Sequence, residues 1–308
     1  MAGQLVEIRI LYRGADDVMK HRIMNGNRIV KNFKSKLGIG SSEKEDLSDS
    51  QAKKVLTMLR KSYRSITKGV LDDPKKKDFT GDGVISSFTE FCLVTTYMDA
   101  ERHEEKHFKL IGELLKDVPL WREFLEPIKG VGVRIAAVIL SEIDIHKARH
   151  PSSLWRYAGL DVGEDGLGRS RRAEHLVDQT YINKEGVEAV RKGIAFNPKV
   201  KTKLMGVLAD SFIKQKNEVY YQIYLDYKHR MENHAVWGAH NDATCDKKDP
   251  KTRTSKARRS EQAKRYMIKM FLKDLYVAWR TLENLPVSKP YAEAFLGRPP
   301  HGEEEVAA

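Results

Sequence analysis

Residues 127–143 read PIKGVGVRIAAVILSEI. An apolar lead, a Lys-Gly-Val-Gly turn and an unbroken aliphatic run leave the backbone few options. Glycine permits a tight turn and a close approach by a neighbour, and the aliphatic run is long enough for a buried helix. The spacing predicts a helix–hairpin–helix, with Gly130 and Gly132 shaping the turn and Val133 to Ile143 forming the second helix. A helix N-terminus presents N–H groups without internal partners and the positive end of the helix dipole. The N–H groups of Val131 to Arg134 are expected to face a phosphate, with Lys129 and Arg134 adding charge. Contacts made by backbone alone do not read base sequence. The competing reading is a plain packing joint between two helices.

Charge bears on that choice. The 308-residue chain holds 55 Lys and Arg against 43 Asp and Glu, a formal net charge of +12. Such an excess favours an anionic partner, here DNA or a structured RNA. The cations also cluster. Arg169, Arg171 and Arg172 form one group, and Lys199, Lys201 and Lys203 a second. The run from Lys251 to Lys273 contains Arg258, Arg259, Lys264, Arg265 and Lys269, with Glu261 its only acid. All three clusters lie in the same half of the chain, near the hairpin, so nucleic-acid binding is favoured over a merely solvated face. A membrane partner is not expected, because no apolar run approaches the ~20 residues of a span. The opening MAGQLVEIRILYRG has no signal-peptide core, and Cys92 and Cys245 form neither a disulfide framework nor a zinc site. A reduced, cytoplasmic chain without metal or cofactor is expected.

The pattern is mainly α. Residues 1–50 read as a small mixed or extended region: EIRILY alternates like a short strand, and HRIMNGNRIVKNF carries an Asn-Gly turn signal. SKLGIGSSEKEDLSDS reads as a linker. Residues 51–117 read as helical, starting with a helix capped by Ser50 that places Val55, Met58, Leu59 and Ile66 on one face. A long helix follows from about Ile85 to Lys116, and its middle, DAERHEEKH, is polar apart from Ala100. A helix like that projects through solvent or pairs with a partner helix, so a homo-oligomer through 85–116 is expected. Residues 118–285 form the hairpin-containing domain, with helices over 203–228 and 260–283, a loop over 235–258 and a flexible tail over 286–308. Tyr220, Tyr221, Tyr224 and Tyr227 read as helix packing rather than base stacking.

Two local motifs carry less than they promise. HEEKH at 103–107 places His103 and His107 on one helix face, but its surroundings are charged and no third zinc ligand follows. DFTGDGVISSFTE at 78–90 resembles a calcium loop, yet Thr89 stands where the bidentate carboxylate belongs and Glu90 comes one residue late. A helix N-terminal turn is the better reading.

The order of features in the second half then resembles a family. A long helix leads into ELLKDVPLWREFLEPIKGVGVRIAAVILSEI, followed by HPSSLWRYAGL, a Gly/Arg segment, VYYQIYLDY and the basic helix AKRYMIKMFLKDLYVAWRTL. Over roughly 97–283 this is similar to the C-terminal transposase 20 domain of the insertion-sequence one-ten family, the RNA-guided DNA transposases. That family opens with a RuvC-like half whose acidic residues hold metal, and no such set is visible before the long helix. It also implies a nucleophilic serine shortly after the YAGL segment. Gly166 and Leu167 stand there instead, and Ser170, among Arg169, Arg171 and Arg172, is the nearest candidate. The resemblance implies a nucleic-acid-binding protein of a phage or mobile element without chemistry; the alternative is an active recombinase or transposase using Ser170. A base-excision glycosylase also uses such a hairpin, but Asp144 is too close to it and Asp161 too far to be its catalytic acid.

Overall fold

The structure, a computed structural model, describes residues 2–39, 50–68, 74–165, 167–233 and 256–297. The fold is mainly α, and the sheet among the described residues is a single two-stranded hairpin. The chain divides into two compact units, Val6–Leu114 and the remainder from Leu115 onward together with Met1–Leu5.

The first unit is built on α1 (Ala2–Lys36), α2 (Ser50–Ile66) and α3 (Phe88–Leu115). The expected strand at EIRILY lies inside α1. Ile8, Tyr12 and Ala15 are buried at spacings of four and three, a helical face that a short alternation conceals. The Asn-Gly pair does not turn the chain either. Asn25 and Gly26 are both buried within α1, where packing outweighs a local turn preference of about 1 kcal/mol. Ile29, Val30 and Phe33 continue the face into a core with Val55, Leu56 and Leu59 of α2 and Phe91, Val94 and Tyr97 of α3. Tyr63 stacks on Phe91 at 5.6 Å between ring centroids.

The polar middle of α3 finds its partners inside this unit. Glu104 is 2% exposed and accepts from Arg22 Nε of α1 at 2.6 Å. Glu101 pairs with Arg60 of α2 at 2.7 Å. The segment that suggested a partner helix from a second chain thus packs on α1 and α2. The calcium-like stretch is a helix entry. Ser87 Oγ accepts from the Glu90 N–H at 3.2 Å, and Glu90 Oε2 accepts from the Ser87 N–H at 3.3 Å, a reciprocal capping box. Asp82 accepts from the Val84 and Ile85 N–H groups and from the Ser62 hydroxyl, and Lys36 donates to Glu90 at 2.6 Å. In HEEKH, His103 is exposed and accepts through its carbonyl from the His107 ring at 2.8 Å, while Glu104 turns toward α1.

In the second unit a helical stretch through Trp121–Leu125 leads into the hairpin and α4 (Val133–Glu142), whose residues from Ile135 to Ser141 are all buried. Next come α5 (Pro151–Tyr157), the strands β1 (Leu176–Ile182) and β2 (Glu188–Ile194), α6 (Pro198–Lys203) and α7 (Ala209–Lys214). The strands pair antiparallel from Leu176↔Ile194 to Ile182↔Glu188. The single helix expected over 203–228 is interrupted. Asn217 accepts from the Tyr220 N–H at 2.9 Å, and so separates α7 from α8 (Tyr220–Glu232). The unit closes on α9 (Lys256–Leu282) and the short α10 (Tyr291–Phe295), so the expected tail is in part helical. Most of the expected 235–258 loop, and the end of the tail, lie outside the described residues.

The core of this unit gathers on α9. Phe271 meets Phe124, Phe212 and Tyr220 with centroids 5.5–6.2 Å apart. Arg280, 7% exposed, donates to the carbonyls of Ile145 and Ala148, and Tyr276 donates to the Arg149 carbonyl at 2.7 Å. These bonds fix the segment between α4 and α5 against α9, so the basic face of α9 has a rigid support.

Candidate nucleic-acid interface

The hairpin turn is locked from behind. Gly130 has φ +106°, a conformation that L side chains rarely adopt. Its carbonyl accepts from Ser211 Oγ at 2.9 Å, and the Lys129 carbonyl accepts from Asn217 Nδ2 at 2.8 Å. The Val131 N–H donates to the Ile128 carbonyl at 3.0 Å, which removes it from the set expected to face a phosphate. Gly132 is the N-cap of α4, and the first N–H groups of that helix have no acceptor within it. Lys129, Gly132 and Arg134 are exposed around that end.

A second basic feature lies between α9 and the loop that follows α5. Arg258, Gln262, Arg265 and Lys269 recur at helical spacing on one face of α9. Opposite them the chain after α5 folds back on itself: Val162 bridges Gly168, and the Gly163 N–H donates to the Leu167 carbonyl at 2.8 Å. Together they enclose a cavity of about 560 Å³ lined by Ser170, Arg172, Arg258, Arg265, Tyr227, Tyr266 and Lys269 among others. At Gly168 the Arg265 guanidinium occupies the space of a side chain; a Cβ there would stand 2.6 Å from its Cζ and from both of its Nη atoms.

The electrostatics are lopsided. Arg169 pairs with Asp161 at 2.8 Å, and that carboxylate holds the guanidinium above its ordinary range. Lys201 donates to the Arg169 carbonyl at 2.5 Å and sits over the Phe196 ring. Burial, reinforced by nearby Arg265, pushes the Lys201 and Lys269 ammonium groups down to about 8. Burial also lowers Arg265. Cations crowded this closely in a partly desolvated recess are relieved by an incoming anion. Tyr227 and Tyr266 stack at 4.7 Å with Arg230 over both rings, so Tyr227 belongs to this wall and to helix packing together.

The structure sorts the sequence candidates into groups. Ser170, Arg172, Arg258 and Arg265 line the cavity, with Arg169 and Lys201 directly behind it. Lys129, Gly130, Gly132 and Arg134 form the hairpin instead. Lys199 is held by Glu142 at 3.2 Å, and Lys264 by Asp210 at 2.9 Å and Glu261 at 3.2 Å. Arg171 is exposed beside Arg172, while Lys203 and Arg259 are half-buried outside the lining. Lys269 belongs to the basic run read from the sequence, whereas Asp165 and His175 were not among the candidates. The four-residue step from Arg265 marks Lys269 in the sequence; nothing periodic marks the other two.

No curated protein and no solved structure matches the chain. A family match covers 122–204, a narrower span than the 97–283 of the resemblance, and it contains the hairpin, α4, α5, the Ser170 loop and both strands. Over those residues the chain matches the transposase IS116/IS110/IS902 family.

Proposed function

We propose that this transposase-related chain is a nucleic-acid-binding protein of a phage or mobile element that grips the phosphate backbone of DNA. The observation that carries this reading is the α9 cavity, where Arg172, Arg258, Arg265 and Lys269 crowd together; burial first and Arg265 second push Lys269, and Lys201 behind the wall, down to about 8. An anion relieves that crowding. The exposed N-terminus of α4 supplies a second phosphate contact of the backbone type. Binding of this kind is insensitive to base sequence and falls steeply with salt. Fluorescence anisotropy with a short duplex across a salt series tests it. The expected log–log plot is linear and steep, and Arg258→Ala lowers its slope by about 0.9, one phosphate contact. Affinity indifferent to salt would sink the reading. A structured RNA in place of the duplex separates the two nucleic acids.

A second reading is favoured by one observation. Ser170 lines the cavity, and its hydroxyl oxygen accepts from Arg172 Nε at 3.0 Å. On this reading the protein is a DNA recombinase or transposase whose nucleophile is Ser170.

A further inference from the structure

Ser170, His175 and Asp165 stand in line at the edge of the cavity. Ser170 Oγ lies 3.0 Å from His175 Nδ1, and His175 Nε2 lies 3.1 Å from both carboxylate oxygens of Asp165. The hydrogen bonds assign the tautomer. The Ser170 backbone N–H points at Nδ1 at 2.9 Å, so Nδ1 carries the lone pair, and Nε2 carries the hydrogen that it donates to Asp165. Asp165 is fixed in turn by the Leu167 N–H at 2.9 Å and by Arg172 at 3.4 Å. The Leu167 bond, with His175 and Arg172, holds its carboxyl below the usual range, so it stays an acceptor. His175 is 2% exposed, packed beneath the serine rather than open to water.

The serine hydroxyl is polarised from the other side as well. Its oxygen accepts from Arg172 Nε at 3.0 Å and from the Arg172 N–H at 3.3 Å, so the hydroxyl hydrogen is left to point at Nδ1, whose one lone pair it shares with the Ser170 N–H. A base on the hydrogen, a carboxylate behind the base and a guanidinium on the oxygen together make a nucleophile-activating arrangement. Relative to the usual serine–histidine pair, the two ring nitrogens have exchanged roles.

We propose that His175 is the general base for Ser170, with Asp165 as its positioning residue and a phosphodiester in the cavity as substrate. The proposal rests on the cavity being a phosphate site and deepens the second reading. In the step, the Ser170 O–H bond breaks and its proton passes to His175 Nδ1. Oγ bonds to phosphorus and the phosphorus–oxygen bond to the departing sugar breaks. That sugar oxygen takes the proton back from His175, leaving a serine phosphodiester and neutral imidazole. Arg172 steadies the negative charge on Oγ during attack.

The test needs no nucleic-acid substrate. Diisopropyl fluorophosphate is an uncharged phosphorus electrophile: Oγ–P forms, P–F breaks, fluoride leaves and the Oγ proton passes to His175. Mass spectrometry of the full chain is expected to show one adduct, on Ser170, absent in Ser170→Ala. His175→Asn places an amide oxygen near the Nδ1 position, keeping an acceptor for the Ser170 N–H while removing the base, and is expected to slow labelling about 100-fold or more. Asp165→Asn keeps the acceptor for Leu167 and is expected to slow it about 10-fold or more; it carries the test if His175→Asn fails to fold. Duplex binding by each variant is measured in parallel. Labelling lost with binding retained in the variants supports the proposal. An unlabelled Ser170 in a wild-type protein that binds DNA overturns it and leaves the binding reading standing. Wild-type labelling rates in folded His175→Asn or Asp165→Asn reduce those residues to loop supports and overturn it too. A labelled serine in a protein that binds no DNA overturns the phosphodiester assignment instead.

Discussion

Gly130 and Gly132 differ in what a side chain would meet. At Gly130 the backbone has φ +106°, and a Cβ would stand 3.0 Å from Phe212 Cδ1 and 3.2 Å from Ser211 Oγ. Gly130→Ala is therefore expected to destabilise the second unit by about 2–3 kcal/mol, read by urea denaturation. At Gly132 nothing lies within 4 Å of a built Cβ, and the backbone is extended. Gly132→Ala should cost at most about 1 kcal/mol, the difference between two N-cap residues. It places a methyl group at the exposed end of α4, where a phosphate would approach. Near-wild-type stability with weakened duplex affinity is the expected pairing, and unchanged affinity would reduce the hairpin to a packing joint. The two glycines were visible in the sequence because their spacing and the aliphatic run after them are local. The partners that lock the turn, Ser211 and Asn217, lie more than 80 residues away and leave no trace in that pattern. His175 and Asp165 were missed for a related reason. Asp165 lies in irregular loop and His175 ends a three-residue 3-10 turn, Ala173–His175, both too short for helical or strand periodicity to mark which side chains meet.

At the scale of elements, strong periodicity was legible and weak amphipathicity was not. The helices α2, α4 and α9 carry apolar stripes and lie close to where the spacing puts them. The hairpin of β1 and β2 escaped notice because most of its residues are exposed, so no buried face imposes an alternation on the sequence. The helix α1 was hidden by an alternating hexapeptide and an Asn-Gly pair, signals that count only while tertiary contacts do not outweigh them. The middle of α3 misled differently. Its charge suggested exposure, whereas Glu104 is buried against Arg22, whose side chain is 21% exposed. Removing a buried partner leaves the other charge without compensation. Glu104→Ala is expected to lower stability by about 2 kcal/mol, less than for a fully buried pair because Arg22 retains some solvent. Glu104→Gln keeps an acceptor and should lose less. Chemical denaturation followed by circular dichroism ranks the two variants, and equal losses would mean that packing rather than charge governs the site.

For the whole molecule, the net charge of +12 and the α9 cavity point to opposite pH responses of folding and binding. Lys201 and Lys269 drop from an ordinary 10.5 to about 8 on folding, through burial first and Arg265 second. Below that value both lysines are protonated in the folded and unfolded chain alike, and the fold carries the full cost of burying them charged. Above it the folded chain has released protons that the unfolded chain still binds, up to its own titration near 10.5. The unfolded state binds more protons in that window, so the contribution of these lysines to stability rises with pH from about 8 upward. Phosphate binding has the reverse sign, because the bound anion needs the ammonium form. Between pH 7 and pH 9 duplex affinity at fixed salt should fall about tenfold, as expected for loss of one charge-assisted hydrogen bond of about 1.5 kcal/mol. Over the same interval the denaturation midpoint should not fall in step. The two curves are measured on one protein preparation, by anisotropy and by urea titration. In a Lys201→Met, Lys269→Met double variant the pH dependence of affinity should flatten, since Arg172, Arg258 and Arg265 remain charged throughout. If affinity in the wild type holds constant from pH 7 to pH 9, these lysines do not contribute to phosphate binding, and the cavity's guanidinium groups carry it without them.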